Sequence, residues 1–222
     1  MTLNNTIEHF QRGEFVLIHD DNDRENEIDM VTAAEFITPE HIVRLRQHAG
    51  GLICLAIDYA FSKKLGIDYM HNILNDCHNL NIKKMISGLE PYGDKSSFSI
   101  SINHRQTYTG VTDVDRATTI KEMSNLYKSD YPKKNFINSF KTPGHIPLLL
   151  ASEGLLENRK GHTEMSILLA KLANVVPITV ICEMLDSKTY SALSTANAEK
   201  YSKQNSIPLI HSNELLEYSN VY

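Results

Sequence analysis

Leu52-Ile53-Cys54-Leu55-Ala56-Ile57, with Asp58 behind it and Gly66 further on, is the stretch from which the fold is read. An apolar run with no polar alternation describes a strand covered on both faces. Asp58 is placed to cap a helix that Gly66 closes. The same strand-then-helix unit recurs on either side. Upstream, residues 2–11 from Thr2 read as a short helix with Ile7 and Phe10 turned inward, and Gly13 stops it before the apolar strand Phe15-Val16-Leu17-Ile18. A strand at 28–34 follows, and Thr38-Pro39 supplies an N-cap and a first-position proline for a helix over 40–49, ended by Gly50-Gly51. Downstream, 68–97 lacks periodicity and reads mostly as loop before a strand at Phe98-Ser99-Ile100-Ser101-Ile102. Residues 119–128 read as helix, then come helix 163–173, strand 178–183, helix 195–205, strand 207–210 and helix 213–219. Alternation of this kind predicts an α/β fold of α+β type, with three layers and a mixed, twisted β-sheet covered by helices.

The chain has 222 residues, a size suited to one domain over 1–222 that buries roughly 70% of its unfolded surface. No repeat, low-complexity tract or linker divides it. With 22 basic and 27 acidic residues the net charge is −5, which gives no broad electrostatic footprint for nucleic acid or an anionic membrane. The longest apolar stretches, 148–151 and 175–182, fall well short of the roughly 20 residues a membrane span needs. Met1-Thr2-Leu3-Asn4-Asn5 lacks the basic and apolar regions of a signal peptide, so a cytoplasmic protein is expected. Cys54, Cys77 and Cys182 form neither a disulfide framework nor a CxxC pair. Cys54 and Cys182 lie in apolar runs, as buried reduced thiols do.

Between the first two strands, Asp20-Asp21-Asn22-Asp23-Arg24-Glu25-Asn26-Glu27-Ile28-Asp29 holds six carboxylates and one arginine. Such density repels itself unless a cation sits there, and Mg²⁺ typically takes one or two protein carboxylates while keeping its other positions for water or substrate. A solvated charged loop is the alternative. An EF-hand is excluded, because Asn26 stands where that loop needs Gly and Thr32 where it needs a bidentate Glu.

Arg159-Lys160-Gly161-His162-Thr163-Glu164 precedes an amphipathic run with Met165, Leu168, Leu169 and Leu172 at helical spacing. Thr163 is placed as its N-cap. A helix start with Arg159 beside it suits a phosphate, and His162 can ligate a metal through a neutral ring nitrogen. His162-Thr163-Glu164 also matches half of a zinc-deaminase signature, but the P-C-x-x-C half is missing. Thr142-Pro143-Gly144-His145 reads as a tight turn holding a histidine. Glu183 ends an apolar strand, where ligands of open α/β sheets gather.

Taken in order, these stretches, with Thr109-Gly110-Val111, Asp115-Arg116-Ala117-Thr118-Thr119 and Ile181-Cys182-Glu183, resemble the 3,4-dihydroxy-2-butanone-4-phosphate synthases over residues 14 to 186. Those riboflavin-pathway enzymes convert ribulose 5-phosphate to a four-carbon phosphate and formate. The resemblance implies Glu25 and His162 as ligands of Mg²⁺ or Mn²⁺. It implies Arg24, Asp29, Thr118, Arg159, Lys160, Gly161, Thr163 and Glu183 as substrate contacts, and His145, Glu183, Glu27 and Asp29 as acid–base groups. It also implies a homodimer with sites near the interface. Leu150, where relatives carry arginine, and Lys160, where small residues are common, depart from the pattern. The family reaction starts with proton removal next to a ketone, for which a metal supplies the electrostatic help. A noncatalytic phosphosugar-binding module is the rival, since fold does not fix function. No cysteine cluster is present to hold the zinc of a fused GTP cyclohydrolase II, so the single-function form is expected.

Overall fold

The structure is a computed structural model that describes residues 3–86 and 88–219. In chain order come α1 (Leu3–Gln11), β1 (Val16–His19), β2 (Ile28–Ala33), α2 (Pro39–Arg44), β3 (Cys54–Ile57), α3 (Tyr59–Leu65), α4 (Met70–Asp76) and α5 (Leu80–Lys84). Then follow β4 (Phe98–His104), α6 (Asp113–Tyr127), α7 (Pro132–Ser139), β5 (Phe140–Leu150), α8 (His162–Leu172) and β6 (Ile178–Glu183). The small hairpin of β7 (Leu185–Asp186) and β8 (Ser191–Ala192) precedes α9 (Thr195–Asn205), β9 (Leu209–His211) and α10 (Ser212–Ser219).

Seven strands form one sheet in the order β4-β5-β3-β6-β2-β1-β9. The β5–β3 and β1–β9 pairs are parallel, and the other neighbours are antiparallel. One face packs against Ile42 of α2, Phe61 of α3, Ile120 and Met123 of α6, Phe136 of α7 and Ala198 of α9. The other packs against Phe10 of α1, Met165 and Leu169 of α8 and Leu215 of α10. The expected helix–sheet–helix layering is therefore present. Double coverage explains why β1, β2 and β3 are buried at every residue, and why β3 runs apolar without alternation while β2 buries Asp29 and Thr32 as well.

Several expectations need correction. Thr2, the expected first residue of α1, lies outside the described residues. The helix over 40–49 is α-helical only to Arg44 and widens into a π-turn over Leu45–Ala49, where the Gly50 N–H reaches back to the Leu45 carbonyl. Neither Thr38 nor Asp58 caps with its side chain: the Thr38 hydroxyl meets His41 Nδ1 at 2.8 Å, and Asp58 pairs with Lys171 at 2.6 Å. The 68–97 stretch holds α4 and α5, which bury no residue and so leave no periodic signature. α6 begins at Asp113, with Thr112 as its cap.

The largest departure is at Thr142-Pro143-Gly144-His145, which is not a tight turn but part of β5. The β4–β5 register jumps from Ile102↔Ile146 to Asn103↔Lys141, so residues 142–145 bulge out of the ladder. Thr142 Oγ1 and the Gly144 N–H bond to Ser101, and the His145 N–H donates to Asn103 Oδ1 at 2.8 Å. A Cβ on Gly144 would fall 1.9 Å from the Ile102 carbonyl carbon, which is why the bulge needs glycine.

Candidate active site

The loop between β1 and β2 is organised by its first carboxylate. Asp20 is buried, and its two oxygens accept the Glu25 and Glu27 N–H groups at 3.0 and 2.9 Å and Arg24 Nη1 at 3.0 Å. Asn26 sits in the left-handed region at φ 53°, and its amide oxygen meets His19 Nε2 at 3.1 Å. Asp21 and Asp23 are exposed, and Asp21 accepts the Asp23 N–H. Charge repulsion within the loop is thus relieved by backbone N–H groups and one arginine, which aims Glu25 inward.

Glu25 meets the start of α8. Its Oε2 lies 3.3 Å from His162 Nδ1 and its Oε1 lies 3.0 Å from Arg24 Nη1. The other His162 nitrogen, Nε2, is 3.2 Å from the Glu27 carbonyl oxygen, an acceptor that fixes the proton there and leaves Nδ1 facing Glu25. Among the described residues, Asp20, Glu25 and His162 form a trio whose ligand atoms lie within 4.8 Å of one another. The Asp20 oxygens are engaged by backbone and arginine donors, while Glu25 turns Oε1 to Arg24 and Oε2 to His162 Nδ1. A carboxylate and an imidazole nitrogen that face each other are groups that can hold a divalent ion.

Around them the titrating groups are strongly displaced. Burial works against the Glu25 charge, yet His162, Arg24 and Tyr92 outweigh it and hold that carboxyl at about 2. Burial likewise opposes a charged His162, but Asp29, Glu25 and Asp20 raise the ring to about 9. Asp29 moves the other way. Loss of hydration pushes its carboxyl up to about 7 despite His162, with Glu183, Glu25 and Glu27 adding to the rise. Its Oδ1 is buried without a hydrogen-bond partner and lies 4.0 Å from His162 Nε2. Burial, then Glu25 and Glu183, also raises Glu27.

Sheet register assembles the rest. Asp29 on β2 is directly opposite Glu183 on β6, so the two share a face. Glu183 Oε2 accepts the Leu52 N–H at 2.7 Å ahead of β3. Extending the parallel Leu55↔Leu148 register back to Leu52 brings His145 level with it on β5. His145 thus lies toward the same sheet end as Glu183. It is exposed, with Nδ1 beside the Asn103 amide at 3.1 Å. A Cβ on Gly110 would meet that same Asn103 side chain at 2.1 Å. Asp115 accepts the Thr109 and Gly110 N–H groups at 3.2 and 2.8 Å. The 109–115 and 143–145 motifs therefore form a second cluster around Asn103. Thr118 is not brought to the acidic loop within the chain: its helix covers the opposite sheet face from α8, and its hydroxyl donates to the Val114 carbonyl.

The start of α8 lies beside two arginines. Thr163 is not its cap. Gly161 takes that place without any side-chain cap, and the Thr163 hydroxyl instead meets Ser97 Oγ at 3.3 Å. The first amides of α8 are thus left for an outside acceptor. A Cβ on Gly161 would fall 2.2 Å from Arg159 Nη1 and 2.8 Å from Arg24 Nη2, so both guanidiniums bracket the bare glycine. Arg159 is set by Glu164, a fully buried carboxylate that accepts its Nη1 at 2.6 Å and the Ser152 N–H at 2.9 Å. Lys160 is exposed on the loop before Gly161.

Sequence reasoning gave no role to Tyr92 or Asp94, which lie in the stretch read as loop. Arg24 stacks over the Tyr92 ring at 4.7 Å, and burial, then the neighbouring Glu25 carboxylate, raises the Tyr92 hydroxyl's pKa. Asp94 accepts Arg24 Nε at 2.9 Å. A cavity of about 360 Å³ adjoins Arg159, lined by Tyr69, His71, Asp94, Ser97 and Ser152. Larger surface cavities of about 630 and 770 Å³ lie away from this chemistry, near α1 and α7 respectively.

A helix-covered mixed sheet that gathers displaced carboxylates, an imidazole and a two-arginine cradle at one helix start defines an α/β enzyme. The family model for 3,4-dihydroxy-2-butanone 4-phosphate synthase matches residues 4–218. The chain belongs to that family of riboflavin-biosynthesis enzymes. The 3,4-dihydroxy-2-butanone 4-phosphate synthase of Methanothermobacter thermautotrophicus is 44% identical over 209 residues, covering 93% of this chain and 91% of that protein. Its counterpart in Methanosarcina acetivorans is 37% identical over 221 residues, covering 97% and 90%. A crystal structure of 3,4-dihydroxy-2-butanone 4-phosphate synthase in complex with two magnesium ions matches with a TM-score of 0.81 at 26% identity, covering 98% of this chain and 96% of that one.

Proposed function

We propose that the protein converts D-ribulose 5-phosphate to L-3,4-dihydroxy-2-butanone 4-phosphate and formate, as one catalytic domain over 1–222. The observation that carries this reading is the convergence of Glu25 and His162 beside the Arg24–Gly161–Arg159 cradle. Such a site holds a cation and an anion side by side, as a phosphorylated ketose requires. Glu25 and His162 would hold Mg²⁺ or Mn²⁺, a fit supported by the closeness of their ligand atoms and by the magnesium complex of the solved relative. A bound divalent cation supplies the electrostatic stabilisation that lets a weak carbon acid beside a ketone lose its proton.

The remaining work belongs to side chains of this protein. Arg159, Lys160, Gly161 and Thr163 would bind the phosphate, with Arg24, Asp29, Thr118 and Glu183 orienting the sugar. Asp29, with its carboxyl near 7, can both take and return a proton at neutral pH. Glu27, Glu183 and His145 are the other acid–base groups, needed because dehydration, skeletal rearrangement and formate loss each move protons.

The position of Thr118 favours a homodimer. In one chain, the cluster around Asn103 leaves His145 exposed and Thr118 on the far face from α8. A second copy could bring the Thr109–Thr118 region to the acidic loop. Tyr108, Val111 and Val114 there expose 94%, 52% and 60% of their surface, apolar area that association would cover. Among the described residues no helix is long and apolar enough to cross a membrane. A cytoplasmic location is proposed. No nucleic-acid partner is proposed.

The test is a pair of variants. Glu25→Gln and His162→Ala should each lose Mg²⁺ binding by calorimetry and turn over no ribulose 5-phosphate at any substrate concentration. Retained turnover in both would refute the metal assignment.

A further inference from the structure

Four carboxylates touch the two guanidiniums of the cradle: Glu25, which faces His162, and three others that are not equivalent. Asp20 on Arg24 and Glu164 on Arg159 have fully buried side chains, and each also accepts backbone N–H groups. Asp94 keeps a quarter of its side chain exposed. It accepts Arg24 Nε at 2.9 Å and lies 3.7 Å from Arg159 Nε through the same oxygen, Oδ2. Its position between the two arginines is that of a single anion shared by both.

Neither arginine needs Asp94 to stay in place. Arg24 is held by Asp20 and by the Tyr92 ring, and Arg159 by Glu164. With Asp94 present, the cradle is still under-filled: Arg24 Nη2 and Arg159 Nε are buried without a hydrogen-bond partner. The Arg24 side chain is only 8% exposed, so its free donor points into the protein beside Gly161 and not into water. A tetrahedral dianion offers three acceptor oxygens to these donors and to the first amides of α8. One carboxylate cannot reach all of them. Asp94 also lines the 360 Å³ cavity beside Arg159, which gives it room to withdraw.

We infer that Asp94 is an internal placeholder for the substrate phosphate, a specificity-determining carboxylate that a phosphate dianion displaces and that weaker anions do not. It lowers the cost of two desolvated guanidiniums in the free protein, and it sets the threshold an incoming anion must exceed. The inference rests on the proposed use of the cradle for phosphate.

The experiment is calorimetric titration of inorganic phosphate into wild-type protein, Asp94→Asn and Asp94→Ala, with thermal unfolding of each. Removing the competing carboxylate should tighten phosphate binding about tenfold in both variants, the factor carried by one charge-assisted hydrogen bond no longer displaced. Unchanged or weaker binding in the variants, with wild-type binding intact, overturns the placeholder while leaving the cradle standing. A Tm loss with unchanged phosphate affinity overturns it too, because that pattern marks Asp94 as a structural partner of Arg24. Absence of phosphate binding in all three proteins overturns the cradle itself, and the inference with it.

Discussion

Asp29→Asn makes the sharpest test of the electrostatics, because it removes one charge at nearly constant shape. Asp29 is 2% exposed, and burial raises its carboxyl from 3.8 to about 7. A folded-state pKa raised above the unfolded one means that the folded protein holds the extra proton between about pH 4 and 7. Stability therefore falls as pH rises through that window, and the full penalty applies above 7. Between pH 5 and 8 only the part from 5 to about 7 is crossed, 7 − 5 = 2 units, worth roughly 3 kcal/mol at about 1.36 kcal/mol per unit. His162 reduces that figure, since Asp29 is the charge that most raises its ring, and the pair cannot be counted twice. A gain of about 2 kcal/mol for Asp29→Asn at pH 8 over its effect at pH 5 remains. The unpaired buried amide costs the same at both pH values, so the difference isolates the charge. At 2–4 °C per kcal/mol for a chain of this size, the Tm change on substitution should be about 4–8 °C more favourable at pH 8. The assay is thermal unfolding of metal-free protein at the two pH values, alongside turnover, which the substitution should abolish. A Tm difference that does not depend on pH would refute the displaced carboxyl.

Two other predictions follow from the same geometry. Divalent-cation binding should release a proton, because His162 is charged up to about 9 and only its neutral ring can ligate. Mg²⁺ affinity should then rise toward about tenfold per pH unit between 7 and 8, and a flat profile would place the ion elsewhere. The same raised ring contributes stability that is fully present below 6.5 and lost as pH rises through about 9. Gly161→Ala should raise KM for ribulose 5-phosphate about tenfold or more, because the new Cβ would meet both guanidiniums. Its stability should fall by only about 1 kcal/mol, the usual cost of alanine at a helix cap. A large stability loss with KM unchanged would mean that the glycine serves packing alone.

How much of this was legible in the sequence depended on whether a feature is local. β1 and β3 could be read because burial on both faces writes a mostly apolar run, which Asp29 and Thr32 interrupt in β2. α9 could be read to the residue, with Ser194 capping it. α6 was legible only in part, since its first turns are polar. Its true start is marked by Thr112 followed by Asp115, where the Thr112 hydroxyl accepts the Asp115 N–H, a local signal that apolar periodicity does not register. The bulge at 142–145 could not be read, because it exists only against β4 and Asn103. In the site, the acidic loop and the Gly161–Glu164 stretch carried their chemistry in residue type and order. Glu164 was visible there, but its use as the buried anchor of Arg159 was not. Tyr92 and Asp94 gave no signal, since what defines them is contact with Arg24, far away in sequence.

The central claim is that the Glu25–His162 site and the arginine cradle together make a metal-dependent lyase for a phosphoketose. Formate release from ribulose 5-phosphate, followed with Mg²⁺ and again after EDTA, tests it most directly. Stoichiometric formate with a four-carbon phosphate, lost in EDTA and restored by Mg²⁺, is the result the account predicts. No formate under any divalent metal, or turnover undiminished by EDTA, would contradict it.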